Sequence, residues 1–352
     1  MKRLILSTLT AAILGVSAAA SADNLSIGFA DPLSSLDPQL NNHAGDRSVA
    51  LHFWDLLIEN KWNKLQPGLA VSWKPLDSTT WEFKLREGVK WQDGTPFTAD
   101  DLIYSYTRAR AVPGSVATYA GYLRTIDTMT AKDPLTLIVK TKAPNPDLPL
   151  NLASVHVVSK HVGEKSTTED YNSGKAMVGT GPYKFVSYTP GDRVLMERND
   201  GYWGEKATWD KVNYRYINNA AARTAALLAG DVDVIDKVSV SDLAKLQKAP
   251  NVSVYPYDGL RVMILQPSFN PAPNQYITDN NGKPLDKNPL LDVRVRQALN
   301  LAINRKAIAD RILQGAATEA NQWMPKGTFG YNPDVKDIPN DVEQAKKLLA
   351  AA

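Results

Sequence analysis

The residues that could perform chemistry are few and widely spaced in this sequence. The chain has 352 residues, with four histidines and no cysteine. Without cysteine there can be no disulfide, thiolate zinc site, iron–sulfur cluster or cysteine nucleophile. A catalytic or metal site would have to be built from histidine, serine, aspartate and glutamate.

The patterns that could bind a metal or a phosphate group are all incomplete. His156 and His161 are five residues apart, so they do not share one face of a helix. Residues 174–180 begin like a phosphate-binding loop, but Thr180 stands where the lysine must be. Residues 231–236 begin like a calcium loop, but the next ligand and the glycine are missing. The motifs H-E-x-x-H, G-x-S-x-G and S-x-x-K are absent from the sequence. We therefore predict no metal, no cofactor and no enzymatic activity.

The composition is that of an ordinary folded protein of about two domains. Apolar residues make up 43% and charged residues 22% of the chain, and the formal net charge is +3. A formal net charge this close to zero gives no reason to expect nucleic-acid binding, which usually requires a clustered basic face.

The first 22 residues have the layout of a secretory signal peptide. Residues 1–3 (MKR) are basic, residues 4–20 are small or apolar without charge, and residues 20–22 (ASA) form a small-x-small cleavage site. A membrane anchor is the alternative, but the alanine-rich run is marginal for a membrane span. A lipoprotein signal needs a cysteine, which is absent. We therefore expect a periplasmic protein without a lipid anchor.

Strand and helix patterns alternate along the rest of the chain. Residues 25–30 and 80–85 favour strands, and so do residues 252–257 and 262–266. Residues 52–58 are apolar and favour a helix. Thr98 followed by Asp101 resembles a capping box and predicts a helix start, and Asp292 is expected to cap another helix. This interleaving predicts an α/β fold with mixed sheets.

Six ordered motifs carry a resemblance to a known family. They are PGLA with SW (residues 67–73), TWEFKLREGVKWQDGTPFTADDLIYSY (80–106), GTGPYKF (179–185), ERNDGYWG (197–204), ALLAGDVDVI (226–235) and LDVRVRQALNLAINRKAI (291–308). Together they resemble the oligopeptide- and dipeptide-binding class of extracellular solute-binding proteins, family 5, which serve ABC importers.

The resemblance implies a two-lobed clamp that closes on its ligand by hinge motion. Carried over to this chain, it predicts a discontinuous lobe I at residues 23–55 and 159–265, an inserted subdomain at 56–158, and the start of lobe II at 266–352. The chain stops inside a helical pattern at residues 342–352, so we expect lobe II to be truncated. The implied protein is a monomer that performs no chemistry and delivers its solute to an ABC permease in the inner membrane.

The resemblance also implies five ligand-binding residues. The loop after residues 37–38 contacts the ligand backbone in peptide-binding relatives, which places Asn42, His43 and Ala44 in the site. Tyr119 corresponds to a tyrosine of the binding cleft, and Arg261 could pair with a ligand carboxylate. The alternatives are a solvated loop, a packing aromatic residue and a surface ion pair, respectively.

The motifs leave the solute and two other function classes open. Peptides, glutathione-like tripeptides, opines, sugars and metal or haem chelates are all compatible with this class. A periplasmic sensory or chaperone-like binding protein is an alternative function. A periplasmic hydrolase is a further one, although the sequence shows no catalytic constellation for it.

Overall fold

A computed structural model describes residues 24–61, 64–256, 259, 261–271, 276–328 and 330–352. The predicted signal peptide at residues 1–22 lies outside the described residues. The chain divides into two compact units: the described residues of 24–60 and 65–236 form the first, and those of 61–64 and 237–352 form the second.

The described residues contain eleven strands. In chain order they are β1 Asn24–Phe29, β2 Ile58–Lys61, β3 Lys64–Pro67, β4 Ala70–Pro75, β5 Thr80–Leu85, β6 Ile126–Asp133, β7 Thr136–Thr141, β8 Tyr183–Thr189, β9 Arg193–Arg198, β10 Lys211–Tyr216 and β11 Val234–Ile235.

The α-helices of the described residues are mostly short. In chain order they are α1 Ala44–Phe53, α2 Ala99–Arg108, α3 Ala120–Leu123, α4 Leu148–Leu152, α5 Lys160–Gly163, α6 Thr168–Asn172, α7 Ala220–Ala229, α8 Val240–Lys248, α9 Val293–Ala302, α10 Arg305–Ala307 and α11 Val342–Ala351. A 3₁₀ turn precedes α9 at Pro289–Leu291, and a π-helical turn follows α10 at Ile308–Ile312.

The first unit contains two larger sheets. One has the strand order β11-β1-β10-β9-β8, in which β1 runs parallel to both β11 and β10, while β9 is antiparallel to β10 and β8. The carboxyl ends of β1 and β10 therefore lie at the same edge as the start of β9. The other sheet has the order β4-β5-β7-β6 and is antiparallel throughout.

One hydrophobic core connects the two larger sheets of the first unit. It includes Phe83 and Val139 from the second sheet, Val194 and Val212 from the first, and Trp54 beside α1. Trp91 also belongs to this core, and Trp73 and Trp81 pack against it partly buried, because large apolar side chains gain most from leaving water. The predicted division at residues 55/56, 158/159 and 265/266 stays a prediction.

The predicted helix at residues 52–58 is wrong. Helix α1 ends at Phe53, and Trp54 has extended backbone angles (φ −127°, ψ 127°). Leu56 then forms an isolated bridge with His156, which an α-helix could not supply. The pairing of Leu56 with a distant segment therefore overrides the helical preference of the apolar sequence at residues 54–58.

The strands predicted at residues 252–257 and 262–266 are not formed by the described residues of these ranges, and residue 257 lies outside the described residues. Residues 252–256 and 262–266 belong to no strand, and Met263 and Leu265 are largely exposed, at 89% and 79%. An alternating apolar sequence cannot form a strand without a neighbour that accepts and donates its ladder hydrogen bonds. The helix starts predicted at Thr98 and Asp292 are confirmed: Asp101 accepts a hydrogen bond from the Thr98 N–H at 2.9 Å, and Asp292 accepts one from the Arg294 N–H at 2.8 Å.

The GTGP motif supports a prediction about stability. A Cβ atom added at Gly179 would lie 1.8 Å from the Phe53 carbonyl oxygen, so Gly179→Ala forces the end of α1 to move. We expect it to lower the free energy of unfolding by at least about 3 kcal/mol. Gly121→Ala is the matched control, since nothing lies within 4 Å of its added Cβ, and its effect should stay below about 1 kcal/mol. Equal urea midpoints for the two variants would contradict this account.

Candidate functional site

The loop between β1 and α1 is held by a buried ion pair. The Arg108 guanidinium donates two hydrogen bonds to the Asp37 carboxylate, at 2.9 and 2.6 Å. The Asp37 side chain is completely buried and that of Arg108 is 12% exposed. Thr168 donates a third hydrogen bond to Asp37, at 2.8 Å, and Tyr171 packs its ring against the guanidinium at 5.1 Å. Helices α2 and α6 therefore both hold this loop in place.

Asn41 and Asn42 connect the end of this loop to residues 115–122. The Asn41 side-chain oxygen accepts hydrogen bonds from the N–H groups of Val116 and Ala117, at 3.0 and 3.3 Å. The Asn42 N–H donates to the Ala117 carbonyl at 2.8 Å, and the Asn42 side-chain amide donates to the Tyr122 hydroxyl at 3.2 Å. Hydrogen bonds therefore hold the end of the loop before α1 against residues 115–122, although the two segments are distant in sequence.

The predicted site residues in this region differ in exposure. Asn42 is half-buried, whereas His43 and Ala44 are exposed at the start of α1. Tyr119 is completely buried, and its hydroxyl lies 3.5 Å from the Asn41 carbonyl oxygen. The structure therefore brings Asn42, His43, Ala44 and Tyr119 together, with the tyrosine buried inside the first unit. Tyr122 is the half-buried tyrosine that contacts Asn42.

Asp46 shapes the first turn of α1 beneath the exposed His43. Its carboxylate accepts hydrogen bonds from the N–H and the hydroxyl of Ser34, at 2.6 and 2.5 Å. Burial raises the pKa of Asp46, and the hydrogen bonds from Ser34 oppose this rise. The His43 Nδ1 atom lies 3.8 Å from the carboxylate, and the His43 side chain makes no capping hydrogen bond.

Arg261 is exposed and belongs to the second unit. Its assignment to the ligand site stays a prediction, as do those of the other four residues.

A buried carboxylate that the sequence reasoning overlooked organises the region around GTGP and NDGYW. Asp55 accepts a hydrogen bond from the Tyr202 hydroxyl at 3.1 Å and another from the Trp203 indole N–H at 2.8 Å. The Asp55 N–H lies 3.4 Å from the Thr180 hydroxyl. Burial raises the pKa of Asp55, and these donors partly offset the effect. A single aspartate within the apolar run at residues 53–58 was the signal that could have revealed it.

Ser159, His161 and Asp93 lie in one hydrogen-bonded row. The Ser159 Oγ is 2.7 Å from His161 Nδ1, and His161 Nε2 is 2.7 Å from an Asp93 carboxylate oxygen. These are the residue types of a hydrolase triad. Ser159 is only 1% exposed, however, and it caps α5 by accepting the Val162 N–H. A substrate cannot reach this hydroxyl, so the row serves to join α5 to the turn at Asp93.

Within the described residues, no three histidine, aspartate or glutamate side chains are grouped closely enough to hold a metal ion. No described helix combines the length and the apolar character that crossing a membrane requires.

Sequence and structure comparisons identify the family. Residues 64–352 match the family model described as bacterial extracellular solute-binding proteins, family 5 Middle. This chain belongs to that family. The predicted family membership is thereby confirmed, and so is the prediction that the protein is not an enzyme, because the family consists of binding proteins.

Individual relatives agree with the family assignment. The dipeptide-binding protein of Escherichia coli is 31% identical over 314 residues, which cover 81% of this chain and 54% of the relative. The heme-binding protein A of Haemophilus influenzae is 30% identical over 310 residues, which cover 82% of this chain and 54% of that protein. This chain therefore spans about half the length of these relatives.

A solved structure confirms the fold. The periplasmic binding protein DppA of Helicobacter pylori, in complex with the peptide STSA, superposes with a TM-score of 0.71 at 24% identity. The match covers 94% of this chain and 66% of that one. The predicted mixed α/β fold is thus the fold of this family 5 protein.

The buried ion pair of this family 5 protein should be essential for stability. We expect Arg108→Met to lower the free energy of unfolding by about 3–5 kcal/mol, because it leaves the Asp37 carboxylate buried without its cation. Lys175→Met removes the exposed ion pair with Asp170, whose lysine side chain is 75% exposed, and should cost less than about 1 kcal/mol. Urea denaturation of both variants measures the difference. Similar losses would show that Asp37 and Arg108 contribute no more than a surface pair.

The buried imidazole of His156 should make the stability of the folded protein depend on pH. Its ring nitrogens are buried without hydrogen-bond partners in the described structure, and this burial lowers its pKa to about 3. An unfolded chain binds a proton below about pH 6.5, which the folded chain does not bind until about pH 3. Stability from this residue is therefore present above pH 6.5 and lost as the pH falls.

The variant His156→Leu isolates this effect. Between pH 7 and pH 5 we expect the variant to lose about 2 kcal/mol less stability than the parent protein, since leucine binds no proton. Denaturant unfolding at the two pH values provides the measurement. If both proteins lose the same amount, His156 does not remain neutral in the folded state.

Proposed function

We propose that this protein is the periplasmic substrate-binding component of an ABC importer, and that it captures peptides or a peptide-like solute. Family membership supports a binding role, and the name of the E. coli dipeptide-binding protein, the relative at 31% identity, supports a peptide as the solute. Residues 1–22 would be removed as a signal peptide on export to the periplasm.

The loop before α1 carries the proposal. We call it the pinned loop because hydrogen bonds hold both of its ends in place. Asp37 and Arg108 fix its base, and Asn41 and Asn42 fix its end, while His43 and Ala44 remain exposed. The first N–H groups of a helix have no partner within the helix, and the His43 side chain does not cap them. A rigid backbone of this kind suits recognition of an extended peptide, whose own N–H and C=O groups need partners.

Residues 23–55 and 159–265 would form lobe I, residues 56–158 the inserted subdomain, and residues 266–352 the beginning of lobe II. Ligand would favour a closed form in which both lobes contact it. The loaded monomer would then dock on the membrane permease, and no bond of the solute would be changed.

A solute other than a peptide is the second candidate. The heme-binding protein A of H. influenzae is 30% identical, almost as similar as the dipeptide-binding relative. The two relatives differ in ligand at nearly equal identity, so overall similarity does not separate a peptide from a haem-like solute.

Native mass spectrometry of protein taken from the periplasm tests the proposal. Comparison with the denatured mass should reveal a ladder of bound masses that fit short peptides. A single mass that fits haem or another solute would favour the second candidate. Protein that stays empty after incubation with peptide pools and with haem would overturn the import proposal.

Substitution of Asn42 tests whether the pinned loop is the site. We expect Asn42→Ala to weaken binding of the co-purifying ligand about fivefold, because it removes the hydrogen bond to Tyr122 that orients the loop. Asn281→Ala, at an exposed position of the second unit, should leave affinity unchanged. Arg261→Ala, measured in parallel, should weaken only ligands that carry a carboxylate. Unchanged affinity in the Asn42→Ala variant would show that this loop is not part of the ligand site.

A further inference from the structure

Three half-buried polar side chains, Arg47, Asn42 and Tyr122, form a hydrogen-bonded cluster at the pinned loop, which we call the Asn42 cluster. The Asn42 side-chain amide donates to the Tyr122 hydroxyl at 3.2 Å, and its carbonyl oxygen accepts a hydrogen bond from the Arg47 guanidinium at 3.4 Å. All three residues belong to the first unit and keep part of their surface in contact with solvent. The Arg47 N–H donates to the His43 carbonyl at 3.0 Å, so Arg47 follows the exposed His43 by one helical turn.

The Asn42 cluster has more hydrogen-bond donors than its own acceptors can use. A guanidinium carries five N–H donors and no acceptor, and that of Arg47 makes one hydrogen bond to the described residues, to Asn42. The Tyr122 oxygen accepts its hydrogen bond from Asn42, and the Tyr122 O–H proton has no acceptor among the described residues. Unused donors of this kind suit an anionic group with two oxygens, such as a carboxylate.

The segments that build this surface contain few acidic residues to balance the charge of Arg47. Residues 34–53 include two, Asp37 and Asp46, and residues 115–124 include none. Both aspartates are buried, and their carboxylates are bound by the groups described above rather than by the Arg47 guanidinium. A half-buried cation loses part of its hydration without gaining a partner, and an anionic ligand group at this point supplies that partner.

We propose that Arg47 and Tyr122 make this protein select peptides with an acidic side chain, aspartate or glutamate, at the residue that meets the pinned loop. This inference rests on the proposed peptide-binding function, in which the loop backbone pairs with an extended peptide. Successive side chains of an extended peptide point to opposite sides, so one of them lies over the Asn42 cluster. The guanidinium binds its carboxylate by two parallel hydrogen bonds, and the Tyr122 hydroxyl donates another.

Matched peptide pairs test this preference in the parent protein. The tripeptides Glu-Ala-Ala, Ala-Glu-Ala and Ala-Ala-Glu are each compared with the peptide in which glutamine, similar in size but neutral, replaces glutamate. Isothermal titration should show at least about tenfold tighter binding of the glutamate peptide at one of the three positions. Both members of a pair carry the same terminal carboxylate, so any contact of that group with Arg261 cancels in the ratio.

The outcomes separate this inference from the proposed function. Equal affinities within all three pairs would overturn the acidic preference and leave peptide binding in place. If none of the six peptides binds, both the acidic preference and the proposed peptide-binding function are overturned.

Variants of Arg47 test whether this residue is the source of the preference. Arg47→Met keeps the length of the side chain without its charge and should bring the glutamate and glutamine affinities within about twofold of each other. Arg47→Lys keeps the charge without the planar fork and should retain a preference of about threefold. Arg193→Met is the matched control, because this half-buried arginine of β9 is paired with Asp192 at 2.7 Å, and it should keep the full ratio.

Thermal unfolding of each variant shows whether it is folded, and Arg47→Lys and the peptide ratios of the parent protein remain informative if Arg47→Met is not. A ratio that persists in folded Arg47→Met would contradict the role of Arg47. Equal loss of affinity for both members of a pair would also contradict it, because it would show that Arg47 only holds Asn42 in position.

Discussion

The buried ion pair between Asp37 and Arg108 is the constraint on which the candidate site depends. It joins residues 71 positions apart in the chain and fixes the loop that leads from the first strand to the first helix. Removing two charges from water is costly, and the cost is offset only when geometry and additional donors are good. Here the pairing is bidentate, Thr168 supplies another hydrogen bond, and Tyr171 covers the guanidinium. The exposed residues at the end of the loop therefore follow a segment that the ion pair holds in one conformation.

A second buried carboxylate organises the opposite end of the first helix. Asp55 is bound by Tyr202 and Trp203, which lie 147 and 148 residues later in the chain. The glycines of the GTGP motif allow the backbone to approach the helix end so closely that a side chain would collide with it. Motifs that are typical of the family thus act mainly as parts of one packing arrangement. They identify the fold better than they identify the solute.

Polar groups inside the first unit fall into two classes with opposite consequences. Asp37, Asp55 and Asn41 have partners supplied by distant segments, and they hold loops in one conformation. The His156 ring and the Tyr214 hydroxyl are buried without partners among the described residues. An unsatisfied buried group reduces stability and is retained only where the surroundings compensate for it.

The sequence alone determined the family, the mixed α/β class and the starts of helices at Thr98 and Asp292, because these depend on motif order and on hydrogen bonds within four residues. It also placed Asn42 and His43 on the loop before α1, although Ala44, assigned to the same loop, is the first residue of that helix. Only the tertiary structure decided that Tyr119 is buried, that Asp55 is bound by two aromatic donors, and that Ser159, His161 and Asp93 form a row. Local pattern likewise could not show that residues 262–266 lack a strand partner. Each of these features arises from contacts between distant segments, and no periodicity within a segment specifies which distant segment will meet it.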